Sequence, residues 1–157
     1  MADALEGKPV PAFDLESTEG KRITPAALAG SWVVLYFYPR DETSGCTKEA
    51  CSFSASLPMF QKLNARVYGI SRDSIASHQK FIQKHGLKFP LLADTQNALA
   101  RALGADKNPK FVLGLLGWPA RDTFLIDPKG TIVTVWRDVN PEQTVNVAYE
   151  ELKKRAG

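Results

Sequence analysis

The sequence predicts an α/β fold with a central mixed β-sheet and flanking helices. Two observations carry this prediction. Apolar runs of strand length, 31–38 and 65–71, are separated by a segment of helix length, and a strand, crossover helix and strand favour parallel pairing. A second pair of apolar runs at 122–136 brackets a tight turn, which indicates an added antiparallel hairpin. With 157 residues and 44% hydrophobic side chains, residues 1–157 should form one domain with a substantial core.

The first part of the chain is predicted to form a hairpin, a short helical turn and the central strand. Apolar residues alternate through 9–24 around the turn signal Glu19-Gly20. Residues 25–30 fit one helical turn, with Thr24 as its cap. The central strand is predicted at 31–38, because residues 32–38 are all apolar or aromatic, which is typical of a strand buried on both faces.

The middle of the chain alternates between helix and strand. A helix should begin at Cys46 and extend to about Leu63, with a kink or restart at Pro58, because an interior proline loses a hydrogen bond. The strand 65–71 follows. Asp73-Ser74 then caps a helix that ends before Gly86.

The remaining elements complete the prediction. Residues 89–93 form a short strand, 97–104 a short capped helix, 122–136 the hairpin and 141–155 an amphipathic closing helix. This order of elements is that of a thioredoxin-like α/β sandwich with an N-terminal β-hairpin extension. The segment 105–120 has no clear period, and we interpret it as a loop or distorted helix. Its apolar part, 111–118, covers the site, offers a dimer surface or packs in the core.

Cys46 is placed where a helix begins. The first turn of a helix has unpaired N–H groups and the positive end of the macrodipole, and both favour a thiolate over a thiol. Lowering a cysteine pKa from ~8.5 to ~6 requires about 3.4 kcal/mol, which is more than the dipole usually supplies. A cationic side chain should therefore lie near Cys46.

The second cysteine, Cys51, follows five residues later. On a regular helix the two side chains are rotated roughly 140° apart, with Cα atoms beyond the ~7 Å limit for a disulfide. If they form a redox pair, the first turn of the helix must unwind.

The loop before Cys46 resembles the active-site signature of the peroxiredoxins, which are thiol peroxidases. The matching pattern is Pro39-x-x-x-Thr43-x-x-Cys46, and Gly45 to Cys51 is similar to the bacterioferritin-comigratory-protein or peroxiredoxin Q branch. The stretch 71–94 resembles the same family. Ser44 departs from the branch, which usually has proline there.

The resemblance implies roles for six residues. Cys46 would be the peroxidatic nucleophile and Cys51 the resolving cysteine. Thr43 would orient the peroxide, besides capping the helix, and Pro39 would shield the thiolate from water. Arg121, which precedes the strand of the hairpin, would be the required cation, and Glu49 would cap the helix or hold Arg121 in place. Both main assignments have a purely structural alternative. Cys46 could be a small buried apolar residue, and Arg121 could be an exposed charge at the end of a strand.

We therefore expect a thiol peroxidase that reduces hydrogen peroxide and organic hydroperoxides. A thioredoxin or glutaredoxin-like dithiol would reduce the Cys46–Cys51 disulfide. Two alternatives stay open: a thiol-disulfide oxidoreductase without peroxidase activity, and a non-enzymatic holdase or binding module using 111–118. Absence of Cys-x-x-Cys argues against the first.

Few further partners are expected. We expect no cofactor or metal, since no phosphate-binding glycine loop appears and His78 and His85 look like ordinary helix residues. A scattered net charge of +3 does not indicate nucleic acid. The start of the chain lacks the pattern of a secretory signal and no run is long enough to cross a bilayer, so we expect a cytoplasmic monomer, or at most a weak dimer.

Overall fold

The computed structural model describes residues 3–157, without the side chain of Phe111. Its strands form one seven-stranded mixed sheet in the order β2-β1-β5-β4-β3-β6-β7. The strands are β1 Leu15–Ser17, β2 Arg22–Ile23, β3 Trp32–Phe37, β4 Ala65–Ser71, β5 Leu91–Ala93, β6 Thr123–Ile126 and β7 Ile132–Trp136. The helices are α1 Pro25–Leu28, α2 Ser44–Lys62, α3 Ile75–His85, α4 Ala98–Leu103, α5 Phe111–Leu115 and α6 Thr144–Ala156. Among the described residues, no helix is both long and apolar enough to cross a membrane.

The central strand β3 is buried on both faces, as its unbroken apolar sequence predicts. Side chains of a strand alternate between the two faces of its sheet. Val34 and Tyr36 contribute to a core shared with α2, α3 and α6, whereas Val33, Leu35 and Phe37 contribute to a second core shared with α1 and α4. The sheet therefore separates two apolar layers, and the helices of both layers cover it.

The end of β3 meets the beginning of β6. The two strands pair antiparallel, with Tyr36 opposite Thr123, and the backbone N–H of Phe37 donates to the carbonyl of Asp122 at 2.8 Å. On the other side, β3 pairs parallel with β4, as predicted. The residue before Asp122 is therefore held beside the loop that leaves β3 and enters α2.

The predicted N-terminal hairpin is present, since β1 pairs antiparallel with β2, and β1 also pairs with β5, which joins the hairpin to the main sheet. Three local predictions need correction. Helix α2 begins two residues before Cys46 and continues through Pro58 without a restart. Thr24 precedes α1, but its side chain makes no capping hydrogen bond. The backbone N–H groups at the start of α4 donate to the Asp94 carboxylate, and the side chain of Asn97 does not cap the helix.

The segment 105–120 contains one short helix, α5. Ala105 and Ala120 at its two ends are buried, but Val112 and Leu115 are 63% and 73% exposed. Core packing is therefore wrong for this part of the segment. Arg72 donates to the carbonyl of Leu116 at 2.8 Å, which fixes the segment to the body of the protein.

Candidate active site

Cys46 is the third residue of α2, and it lies in the first turn. Only 1% of the residue is exposed. Its Sγ accepts a hydrogen bond from Nη2 of Arg121 at 3.2 Å. The cation that the sequence predicts is therefore present. Arg121 lies just before β6, whose first residue pairs with the end of β3.

The Arg121 guanidinium is held from a second side. Its Nη1 donates to Oε1 of Glu49 at 3.1 Å, and the Thr144 hydroxyl donates to Oε2 of Glu49 at 2.6 Å. Glu49 lies one turn after Cys46 on α2 and is buried. Because a guanidinium is a rigid planar fork, Glu49 orients the nitrogen that faces the sulfur. Glu49 thus contacts Arg121 and does not reach back to cap α2.

Thr144 is a residue that sequence reasoning missed. It is the first residue of α6, where a threonine has an evident local explanation as a helix-start residue. The only signal that could have pointed to it is its place at the start of the closing helix. Its partner is 95 positions earlier, so no local pattern shows the contact.

Gly45 makes room for the guanidinium. A Cβ at this position would lie 2.9 Å from Arg121 Nη2 and 3.4 Å from a carbon of Pro141. Nη2 could move away only by leaving the Cys46 sulfur. The glycine directly before the cysteine therefore permits the approach of the cation.

Thr43 and Pro39 lie in the loop before α2. Thr43 precedes the first helical residue, but its side chain does not cap the helix. Its hydroxyl instead donates to the carbonyl of Arg40 at 3.1 Å, which closes the loop on itself. Pro39 is buried and lines a narrow cavity of about 30 Å³ with Leu113 and Arg121. A wider cleft of about 470 Å³ leads from solvent to Gly45 and Arg121.

The acidity of Cys46 differs from the expectation. Burial raises the pKa of the thiol above its ordinary value, while the charge of Arg121 is the largest influence that lowers it, and the net direction is upward. Removing a thiolate from water outweighs the favourable contacts in the closed pocket. The prediction of a lowered pKa counted the cation and the dipole but not the complete burial of the sulfur.

Cys51 lies on the same helix and is exposed. Both cysteines are free. Since α2 is helical from Ser44 to Lys62, the geometric argument from the sequence applies, and the two sulfurs cannot bond while the first turn is intact.

Burial also raises the pKa of Glu49 to about 7, against hydrogen bonding from Thr144 and the charge of Arg121, which lower it. The folded state therefore binds a proton between pH 4.5 and about 7 that the unfolded chain has released. Stability should fall as the pH rises through this window, by about 3 kcal/mol. Urea unfolding at pH 5 and pH 8 measures the difference, and Glu49→Gln should remove most of it.

Glu150→Gln is the matched control for this experiment, because that carboxylate lies on α6 with its side chain 53% exposed. It should leave the pH dependence of the free energy of unfolding unchanged. An equal loss of stability between pH 5 and pH 8 in the wild type and in Glu49→Gln would show that the buried carboxyl is not the cause.

Comparison with known proteins shows the family and the fold of the chain. Residues 7–135 match the model of the AhpC/TSA family. The chain is 41% identical to peroxiredoxin Bcp of Xanthomonas campestris, over 99% of both chains, and 40% identical to peroxiredoxin Bcp of Bacillus subtilis, over 94% of both. The chain also superposes on a solved structure of the Xanthomonas campestris bacterioferritin comigratory protein, with a TM-score of 0.84 and 36% identity over 100% of this chain and 98% of that one. That structure was described in relation to the alkyl peroxide reduction activity of the Xanthomonas protein. The thioredoxin-like sandwich predicted from the order of elements is thereby confirmed.

Proposed function

The chain belongs to the AhpC/TSA family and is a thiol peroxidase like its peroxiredoxin Bcp relatives, and from this we propose that the Cys46 sulfur is the nucleophile that attacks peroxide and that Cys51 is its resolving partner. The observation that carries the proposal is the buried Cys46 sulfur 3.2 Å from a guanidinium nitrogen, at the start of a helix. Hydrogen peroxide and small organic hydroperoxides are the substrates, and they reach the site through the cleft at Gly45 and Arg121.

In the first step the Cys46 thiol gives up its proton, and the thiolate, which Arg121 stabilises against the cost of burial, attacks one oxygen of the peroxide in line with the O–O bond. A sulfur–oxygen bond forms, the O–O bond breaks, and the leaving oxygen departs as water or an alcohol after taking a proton. Arg121 and the N–H groups at the start of α2 stabilise the negative charge that moves onto the leaving oxygen, which is the kind of stabilisation worth most in a buried site. Thr43 orients the peroxide and Pro39 keeps water from the sulfur. Cys46 is left as a sulfenic acid.

In the second step the first turn of α2 unwinds and Cys51 reaches Cys46. The Cys51 thiolate attacks the sulfenic sulfur, a disulfide forms and water leaves. A dithiol protein of the thioredoxin type then reduces the disulfide. The cycle uses no prosthetic group.

The resolving step is tested by mass spectrometry after one equivalent of hydrogen peroxide. The wild type should lose two hydrogens and yield a peptide in which Cys46 and Cys51 are linked. Cys51→Ser should instead gain one oxygen on Cys46, because the sulfenic acid has no partner. Ser52→Ala, a neighbouring exposed position on α2, is the matched control and should behave as the wild type. A persistent sulfenic acid in the wild type would contradict the role of Cys51.

A further inference from the structure

The chain contains two histidines, His78 and His85, and both lie on α3. Each contacts a different carboxylate of the loop 39–43, which joins β3 to α2. Nδ1 of His78 lies 2.8 Å from Oδ2 of Asp41, and Nε2 of His85 lies 2.9 Å from Oε1 of Glu42. The loop that delivers Cys46 is therefore attached to α3 at two consecutive residues.

The contact between Asp41 and His78 is buried, with side chains 2% and 0% exposed. The Asp41 carboxylate also accepts hydrogen bonds from the hydroxyls of Tyr38 at 2.6 Å and Ser77 at 2.8 Å. Nε2 of His78 faces the carbonyl of Leu92 at 2.9 Å, and since a carbonyl only accepts, this nitrogen carries a proton. Every polar atom of the pair has a partner, and removing one partner leaves the others unsatisfied.

The contact between Glu42 and His85 involves a residue with an unusual backbone conformation. Glu42 has φ = +68°, in the left-handed region that non-glycine residues rarely adopt. Such a conformation persists only where surrounding contacts hold it. His85 supplies one contact and Lys84 adds its charge 3.7 Å away. Without them the backbone at Glu42 would relax, and Thr43 and the first turn of α2 follow directly after it.

We propose that His78 and His85 are positioning residues that latch the loop 39–43 onto α3 and so set the balance between the peroxide-reactive site and the unwound, disulfide-forming state. The inference rests on the proposed function of Cys46 and Cys51. The first turn of α2 must open for the disulfide to form, and the loop is its attachment to the rest of the protein. A firm latch keeps Cys46 beside Arg121, and a weakened latch favours opening.

The test compares the two chemical steps in the same variants. Stopped-flow measurements give the rate constant for oxidation of Cys46 by hydrogen peroxide and, separately, the rate of disulfide formation from the sulfenic acid. Weakening the latch should slow the first step and speed the second. A merely structural role would not move the two rates in opposite directions.

Two variants should fold, because each removes little: one removes a contact at the surface, and the other removes a single hydrogen bond. His85→Gln removes the contact to Glu42 and should change each rate by about twofold to fivefold. Ser77→Ala removes one donor to Asp41 and should change each by about fivefold. His78→Gln, with its free energy of unfolding measured alongside, should give the largest effect. Lys80→Gln, an exposed position on α3, is the control and should change neither rate.

The outcome separates the latch from the function on which it rests. If wild-type Cys46 is not oxidised rapidly by peroxide, the proposed function itself fails. If it is oxidised rapidly, but His85→Gln and Ser77→Ala leave both rates unchanged or slow both together, the latch is overturned. A slower first step combined with a faster second step supports it.

Discussion

Replacing Cys46 by serine should abolish the reaction with peroxide, down to the rate at which peroxide decays without protein. A serine hydroxyl is scarcely ionised at neutral pH, and its oxygen is a far weaker nucleophile towards peroxide than a thiolate. The loss should be on the order of 10⁴-fold or more, as for other enzymes deprived of their nucleophile. Peroxide consumption in the presence of a dithiol reductant, together with single-turnover stopped-flow oxidation, measures it.

Cys51→Ser is the matched control for this variant, because it also removes one thiol of the chain. It should retain the first oxidation at nearly the wild-type rate and lose only the disulfide. The opposite result, with rapid oxidation in Cys46→Ser and none in Cys51→Ser, would transfer the peroxidatic role to the exposed cysteine and contradict the assignment.

Replacing Arg121 by methionine should lower the rate constant for peroxide by about 10²- to 10³-fold, the usual effect of removing one donor that stabilises transition-state charge. The methionine keeps most of the volume but supplies neither the positive charge nor the hydrogen bond to the Cys46 sulfur. It also raises the pKa of the thiol further, because the charge of Arg121 is the largest influence that lowers it. The lost charge stabilisation and the raised thiol pKa both lower the rate. A titration of thiolate absorbance measures the change in pKa by itself, so the two contributions can be separated.

Arg121→Lys refines this expectation. A lysine keeps the charge but presents a single ammonium group, which cannot reach Glu49 and Cys46 together as the two guanidinium nitrogens do. Its rate should fall between those of the wild type and Arg121→Met. Arg155→Met, at the end of α6 with an exposed side chain, is the control. A wild-type rate in Arg121→Met would show that the cation beside the sulfur does not act on peroxide.

Several elements could be predicted because their signals are local. The apolar run of β3, the capping Ser74 and the left-handed Gly86 at the two ends of α3, and the tight turn between β6 and β7 each depend on residues within a few positions. Errors occurred where the local signal was ambiguous. Thr24 and Asn97 occupy capping positions, but their side chains do not cap, since propensity states only which residues are able to do so.

The sequence by itself determined the order of elements, the place of Cys46 at a helix start and the need for a cation. Only the tertiary structure decided how Arg121, Glu49 and Thr144 converge on that sulfur, because their contacts span 72 to 95 residues and depend on how β3 pairs with β6. It also decided the direction of the Cys46 pKa and the attachment of the loop to His78 and His85. Burial and long-range contact are properties of the packed chain, and a pattern of neighbouring residues does not contain them.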